Sequence, residues 1–240
     1  MVDVYVAGPV AAVRALYGDL VGRSAWTRAP VDQLRVQADR LADGHRLRIP
    51  GSDVELANWH PMLVTRPVAE IWAADLREDD FLLALARQHG YRQWESVPAG
   101  PGPVPEFEAA VEAVVDGDLV GLTRLLDATP DLVSMRSHWG HRATLLHYVA
   151  ANGVETYRQR VSPRAADVAS LLVSRGAEAH ATADMYGGRQ TTLALLLTSS
   201  HPRDAGVTAA VAHVLGVNGS PRQLIVTCRA STDRMDRTGD

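Results

Sequence analysis

An all-α protein built of packed helix pairs is what this sequence predicts, and three observations carry the expectation. Apolar residues recur at three- and four-residue spacing over most of the 240-residue chain, the period of an α-helix with one face turned inward. A helix–turn–helix pattern returns between residues 106 and 220. Pro98-Ala-Gly-Pro-Gly-Pro-Val-Pro105 separates that half from a first half that also reads as helical; four prolines and two glycines in eight residues can neither continue a helix nor donate to a sheet.

Residues 1–97 are expected to form a helical N-terminal region. Val10, Val13, Leu16, Tyr17 and Leu20 mark a first helix, and Val31, Leu34, Val36 and Leu41 a second. Between Asp43 and Pro67 the periodicity fails at Gly44, Pro50, Gly51, Pro61 and Pro67, which reads as irregular chain. Val68–Leu76 and Asp79–Gln88 are two further helices. Gly90 stops the second, and Trp94 is expected to pack back onto them. Residues 98–105 form the linker. After residue 220 a polar tail, 221–240, has no periodicity and is expected to be partly disordered.

The segment 106–220 is read through its repetition. Phe107, Ala110, Val111, Val114 and Val115 make one apolar face, Gly117-Asp118 breaks it, and Leu119, Leu122, Leu125 and Leu126 make a second face that stops near Pro130. Thr144 to Gly153 and Ala165 to Gly176 repeat the pair. Thr191–Leu197 and Val207–Leu215 give a third copy. Thr144-Leu-Leu-His147, followed by Ala150 and Gly153, resembles the Thr-Pro-Leu-His…Ala-Ala…Gly signature of ankyrin repeats. Val168…Leu171-Leu172…Gly176-Ala177 resembles the second helix of the same unit. Leu145 stands where the proline is usual, and the third copy has Ala194 in place of the histidine. From Thr144 to Thr191 is 47 residues, against about 33 for a plain ankyrin unit. The excess falls in an insertion, Val154–Pro163, and in a long finger, Glu178–Gln190. The wording Arg142-Ala-Thr-Leu-Leu-His-Tyr-Val-Ala-Ala-Asn-Gly-Val-Glu155 is similar to a bacterial subfamily of ankyrin-like proteins, which also resembles this chain around Leu82–Trp94. The resemblance implies an ankyrin-like helix-pair solenoid with long finger loops, preceded by a helical N-terminal cap. One pair cannot bury its own apolar face, so copies must stack.

Composition narrows the chemistry. Hydrophobic content of 46% and charged content of 22% are those of a globular protein. No apolar run reaches the roughly 18–20 residues of a membrane span, and the first residues lack the pattern of a secretory signal, so a cytoplasmic protein is expected. All 24 basic residues are arginine, which points to a GC-rich bacterial genome and removes Schiff-base and P-loop lysine chemistry. The net charge of −4 comes without a basic block, against a nucleic-acid partner. Cys228 is the single cysteine, which excludes a Cys-rich zinc site and an intrachain disulfide. Neither a cofactor nor a metal is expected.

The remaining candidates are histidines, tyrosines, acids and arginines around the repeat edges. His147, at the ankyrin-like histidine position, reads as a backbone-bonding residue. His138-Trp139-Gly-His141 is a loop that would bind metal only if a third ligand, His201 or Asp184, converged on it. Tyr157-Arg158-Gln-Arg160 lies in the insertion, either as a solvated loop or as part of a binding face. Asp184-Met-Tyr186-Gly187-Gly188 tips the finger as a tight turn. Ser199-Ser200-His201-Pro202 reads as a helix end. Asn58-Trp59-His60-Pro61 is a loop, and Glu78-Asp79-Asp80 is a helix start suited to the macrodipole.

Two functions fit this pattern. The first is a binding scaffold gripping a protein or a small molecule through fingers and insertion. Its ligand-binding residues are His138, Trp139, Arg142, Tyr148, Asn152, Arg158, Tyr186 and His201, with Met185 and Arg189 beside them. The second is a cofactor-independent acid–base enzyme, a cyclase, isomerase or dehydratase of a small bacterial metabolite, with His141, His147, Tyr157 and Asp184 as catalytic groups. A closed pocket lined by histidine and tyrosine would favour the enzyme, and an open face with those groups solvated and apart the scaffold.

Overall fold

The computed structural model describes residues 3–216 and is mostly helical, with one small two-stranded sheet. The expected tail, 221–240, and Cys228 lie outside the described residues. No helix among those described is long and apolar enough to cross a membrane.

The N-terminal unit packs five helices: α1 (Gly8–Tyr17), α2 (Pro30–Leu47), α3 (Ser52–Trp59), α4 (Val68–Ala73) and α5 (Glu78–Gln88). Two short 3-10 segments join α1 to α2. Proline opens α2 where its missing N–H costs nothing. The Asp80 carboxylate accepts the Arg77 backbone N–H at 2.8 Å and closes the start of α5. Val13, Leu16, Tyr17, Leu34, Leu41, Leu56, Phe81 and Leu85 form the core of this unit. Trp94 packs against that core from a 3-10 turn, with the Arg35 guanidinium over its ring. The stretch read as irregular holds α3, and α2 runs six residues past Leu41. α3 escapes the periodicity because its inward face is Ser52, Glu55 and Leu56, two of them polar.

The second unit begins at α6 (Pro105–Asp116), which turns at Gly117 into α7 (Leu119–Ala128); the Asp118 carboxylate caps α7 by accepting the Gly121 N–H at 2.9 Å. Then come α8 (Leu145–Tyr148), α9 (Ala165–Ser174), the hairpin β1 (Thr182–Met185) and β2 (Gly188–Thr191), α10 (Thr192–Thr198), α11 (Ser200–Asp204) and α12 (Thr208–Val214). α8 lies against both α6 and α10, and α9 lies against both α7 and α12. One continuous core runs from Phe107 to Leu215 between the layers. Where a helix was expected to run to Gly153, α8 is a single α-turn. After Tyr148 the N–H groups of Val149, Ala150 and Ala151 bond three residues back, so the chain tightens into turns before entering the insertion. α10 ends at Thr198, short of Pro202 as expected, and α11 then starts at Ser200.

The insertion is the main correction to the sequence reading. It is no solvated loop: Glu155, Thr156, Tyr157, Arg158 and Arg160 are all buried, between the two units. Tyr157 belongs to the N-terminal core, its ring edge-on to Tyr17 at 6.4 Å. The Arg158 guanidinium, 1% exposed, meets three carboxylates: Glu108 at 2.6 Å, Glu112 at 3.0 Å and Glu155 at 3.2 Å. Arg160 joins Glu112 at 2.6 Å to Asp116 at 2.7 Å. Burial works against ionisation of Glu112 and Glu155, but the facing cations outweigh it and hold both below the usual carboxylate range. Burial together with the repulsion of Glu155 and Glu112 leaves Glu108 raised despite its contact with Arg158. The insertion is also bonded at its ends: Tyr5 and Val161 exchange backbone hydrogen bonds, and the Arg14 guanidinium donates to the Tyr157 carbonyl at 3.1 Å.

A second polar knot holds the same junction. The buried Glu55 carboxylate accepts the Tyr17 hydroxyl at 3.0 Å and the Gln88 amide. Gln88 and the Trp59 indole both donate to the Thr156 hydroxyl, at 3.1 and 2.9 Å. With no cation beside it, Glu55 is pushed by burial up to about 7, against the bonds from Thr156, Tyr17 and Gln88. The unfolded value is about 4.3, so the native protein binds the extra proton between pH 4.5 and 7. Stability is therefore lost as pH rises through that window. Glu55→Gln should be more stable than the parent at pH 8 by about 1–3 kcal/mol, with the difference shrinking toward pH 4.5. Urea unfolding at a series of pH values measures it, and a difference independent of pH would contradict the assignment.

Candidate functional site

A cleft of about 930 Å³ lies where the hairpin of the second unit faces the N-terminal unit. Three elements build it. The end of α3 supplies Asn58 and Trp59. The end of α5 and the following loop supply Arg87, Gly90, Tyr91 and Arg92. The hairpin supplies Asp184, Tyr186 and Arg189, and Gly140 and His141 lie between. The volume is in the range of small-molecule sites, roughly 300–1,000 Å³.

The floor of the cleft is a close backbone crossing. The His141 N–H donates to the His89 carbonyl at 3.2 Å, and the Asp184 N–H donates to the His141 carbonyl at 2.7 Å. Gly90 sits at φ +84°, and a Cβ there would overlap the His141 backbone nitrogen. Beneath the floor the His89 ring lies 4.4 Å from Trp139. Burial pushes His89 down to about 4, so it is neutral near pH 7.

The hairpin wall is set by its turn. Met185 pairs with Gly188, leaving Tyr186 and Gly187 as the two turn residues, both at positive φ (53° and 77°). Such a turn matches the strand twist, and asparagine is its usual first residue. A tyrosine there costs on the order of 1 kcal/mol. It is held by its hydroxyl, which donates to Asn152 Oδ1 at 2.6 Å, and by its ring, which lies nearly parallel to Trp59 with centroids 6.5 Å apart and planes 7° apart. At 64% exposure the ring still faces solvent.

Three guanidinium groups and one carboxylate, Asp184, line the cleft. Arg189 donates to the Thr182 hydroxyl at 2.9 Å. The side chains of Arg87 and Arg92 have no ion pair or hydrogen bond among the described residues. The cleft therefore presents unpaired positive charge beside aromatic faces.

The residues named from sequence are distributed unevenly over this site. Of the four proposed for acid–base chemistry, His141 and Asp184 reach the cleft. His141 is 0% exposed, its Nδ1 accepts the Ala143 N–H at 3.1 Å, and its Nε2 faces Glu155 Oε1 at 3.7 Å. His147 is buried elsewhere: its Nδ1 accepts the Thr144 N–H at 3.1 Å, a local bond three residues back, and burial pushes it down to about 4. Tyr157 is in the N-terminal core, and burial raises it well above the ordinary phenol range. The quartet does not converge, because the insertion carrying Tyr157 turns inward.

Of the eight binding candidates, Tyr186 lines the cleft, and half-buried Asn152 positions it while donating to the Leu195 carbonyl at 2.9 Å. Trp139, Tyr148 and Arg158 are buried, Arg158 as the ion-pair centre, so none presents a contact surface. Exposed His138 donates from Nδ1 to the Gly102 carbonyl at 3.3 Å, and exposed Arg142 donates to the Ser137 carbonyl at 3.2 Å. His201 lines a separate cavity of about 380 Å³ with Val54, Ile71 and Gln159. His138, His141, Asp184 and His201 make no shared metal site, and no group of three or more potential ligands occurs among the described residues. Trp59, Arg87, Tyr91 and Arg92 were missed. Trp59 was read as loop, and the other three follow helix-end logic that carries no chemical signature. Tyr186-Gly187 did hold a signal, a tyrosine where a tight turn favours asparagine.

No family model, curated protein or solved structure matches the chain.

Gly90→Ala tests the crossing that shapes the floor. Positive φ and backbone overlap together predict a loss of several kcal/mol, in the upper range of single substitutions. Thermal or urea unfolding measures it, and a loss under about 1 kcal/mol would contradict the crossing.

Proposed function

We propose that the chain is a divergent ankyrin-type binding scaffold, and that its ligand is a small molecule taken into the cleft between the finger hairpin and the N-terminal unit. The observation that carries this is the cleft itself, where unpaired arginines and a hydroxyl-pinned tyrosine face open space. Side chains held against their conformational preference, and cations left without carboxylates, are what a site waiting for a ligand requires.

The ankyrin reading draws on three features. First helices contact first helices and second helices contact second helices through three pairs. The hairpin occupies the position of a finger between the second and third pairs. Thr144 and His147 close the start of α8 reciprocally. Three pairs are a short stack, and the N-terminal unit, joined through the buried insertion, supplies the opposite wall. A short stack with a cleft of about 930 Å³ suits a small ligand better than the extended face of a protein partner.

Acid–base chemistry is the weaker reading. Its groups would have to titrate near neutral pH while touching substrate. His147 and Tyr157 are buried and pushed away from neutrality, and the His141 Nε2 is turned toward Glu155. Binding needs only the side chains that line the cleft.

Native mass spectrometry of the full chain, after incubation with the small-molecule fraction of a cell extract, tests the proposal. The expected result is an added mass that disappears on denaturation and is absent in the Trp59→Ala/Arg92→Glu double variant. No added mass, or one retained unchanged by the double variant, overturns the cleft as the binding site.

A further inference from the structure

The cleft has a two-part chemistry that narrows its ligand. One part is the pair of near-parallel rings, Trp59 on the N-terminal unit and Tyr186 on the hairpin tip, with centroids 6.5 Å apart. An exposed aromatic face offers a flat ring a stacking surface, and Tyr186 carries its ring, largely exposed, at the tip of a two-residue turn. The other part is charge: Arg87, Arg92 and Arg189 against the single carboxylate of Asp184. Asp184 and Arg189 are cross-strand partners in the hairpin register, yet Arg189 bonds the Thr182 hydroxyl instead. Arg87 and Arg92 project from the α5 end and its following loop, on the same N-terminal unit as Trp59. Guanidinium groups bind carboxylate and phosphate through paired N–H donors, and a cleft wall of low polarisability strengthens that attraction.

We propose that the cleft binds a planar aromatic anion: its ring stacked on the aromatic faces of Trp59 and Tyr186, its carboxylate or phosphate held by Arg87, Arg92 and Arg189. This rests on the cleft being the ligand site and adds the class of ligand. A volume of about 930 Å³ accommodates a ring with its anionic arm, and does not require a macromolecule. The same chemistry is offered by a mononucleotide and by an aromatic carboxylate, and direct titration separates them. Tyr186 acts as a wall that must be kept in position, and Asn152 is the residue that positions it.

Isothermal titration of the full chain with four probes tests the assignment: adenosine monophosphate, phthalate, ribose 5-phosphate and adenosine. Binding of adenosine monophosphate or of phthalate, at least 10-fold tighter than ribose 5-phosphate and adenosine, supports it; which of the two binds identifies the source of the anion. Tyr186→Asn places the favoured residue in the turn, so the hairpin is retained while the ring is lost. It should weaken the binding probe about 10-fold, equivalent to about 1.4 kcal/mol. Arg92→Ala, at an exposed side chain without partners, should weaken it at least as much and reduce its salt dependence. Failure of both ring-bearing anions to bind, or equal binding of ribose 5-phosphate, overturns the proposal. A ligand captured from extract that lacks either a ring or an anionic group would leave the cleft as the binding site and sink only the class assigned here.

Discussion

The Arg158 guanidinium, enclosed by Glu108, Glu112 and Glu155, is the interaction on which the architecture depends. Its ring neighbours are Tyr148 of the second unit and Tyr157 in the N-terminal core, with the charge 5.9 and 5.5 Å from the two ring centres. One side chain thus ties α6, the insertion and the edge of the N-terminal core together. A buried cation facing three acids is a poor source of net stability, since desolvation offsets most of the attraction. Its effect is on specificity. Once Glu108 is buried it requires this cation, and the cation is delivered only when the insertion folds inward.

The cleft follows from that constraint. With the insertion inward, Thr156 reaches the Trp59 indole and the Gln88 amide, fixing the ends of α3 and α5 against the second unit. The same docking brings Gly90 onto the His141 backbone and lets the hairpin hang from the His141 carbonyl. Trp59, Arg87 and Arg92 on one side and Tyr186 and Arg189 on the other then face each other across open space. Neither unit owns the site. Its aromatic walls and its arginines are drawn from both, and their separation is set by contacts buried behind them.

Much of the helical organisation was legible in the sequence, because α1, α2, α5, α6, α7 and α9 each bury an apolar stripe at helical spacing. α3 was hidden: its buried face is mainly Ser52, which donates to the Ile49 carbonyl, and Glu55, bonded to Tyr17 and Gln88 more than 30 residues away. The insertion misled for a related reason. Tyr-Arg-Gln-Arg reads as a solvated loop, and the acids that bury it lie some 45 residues upstream. A trace of them was present: Glu108, Glu112 and Asp116 recur every four residues on α6. Like charges at that spacing destabilise a helix unless something opposes them, so the stripe called for a cationic partner. The expected tight turn at Tyr186-Gly187 is present, and Asp184 and Tyr186 both line the cleft. The other half of the cleft was not found, because Trp59, Arg87 and Arg92 acquire their meaning only from the docking of two units, which no local pattern encodes.

Equilibrium urea unfolding of the parent protein and of Arg158→Met, followed by tryptophan fluorescence and by far-UV circular dichroism, tests the central claim most directly. Trp26, Trp59, Trp72 and Trp94 lie in the N-terminal unit and Trp139 packs into its core, so fluorescence reports that unit while dichroism reports every helix. The account predicts coincident curves for the parent, because the buried insertion makes the two units one cooperative body. For the variant it predicts a loss of about 3–5 kcal/mol from the buried Glu108 and Glu155 left without their guanidinium, while Glu112 keeps Arg160, with the two curves separating. Two transitions in the parent, or a variant as stable and as cooperative as the parent, would contradict it.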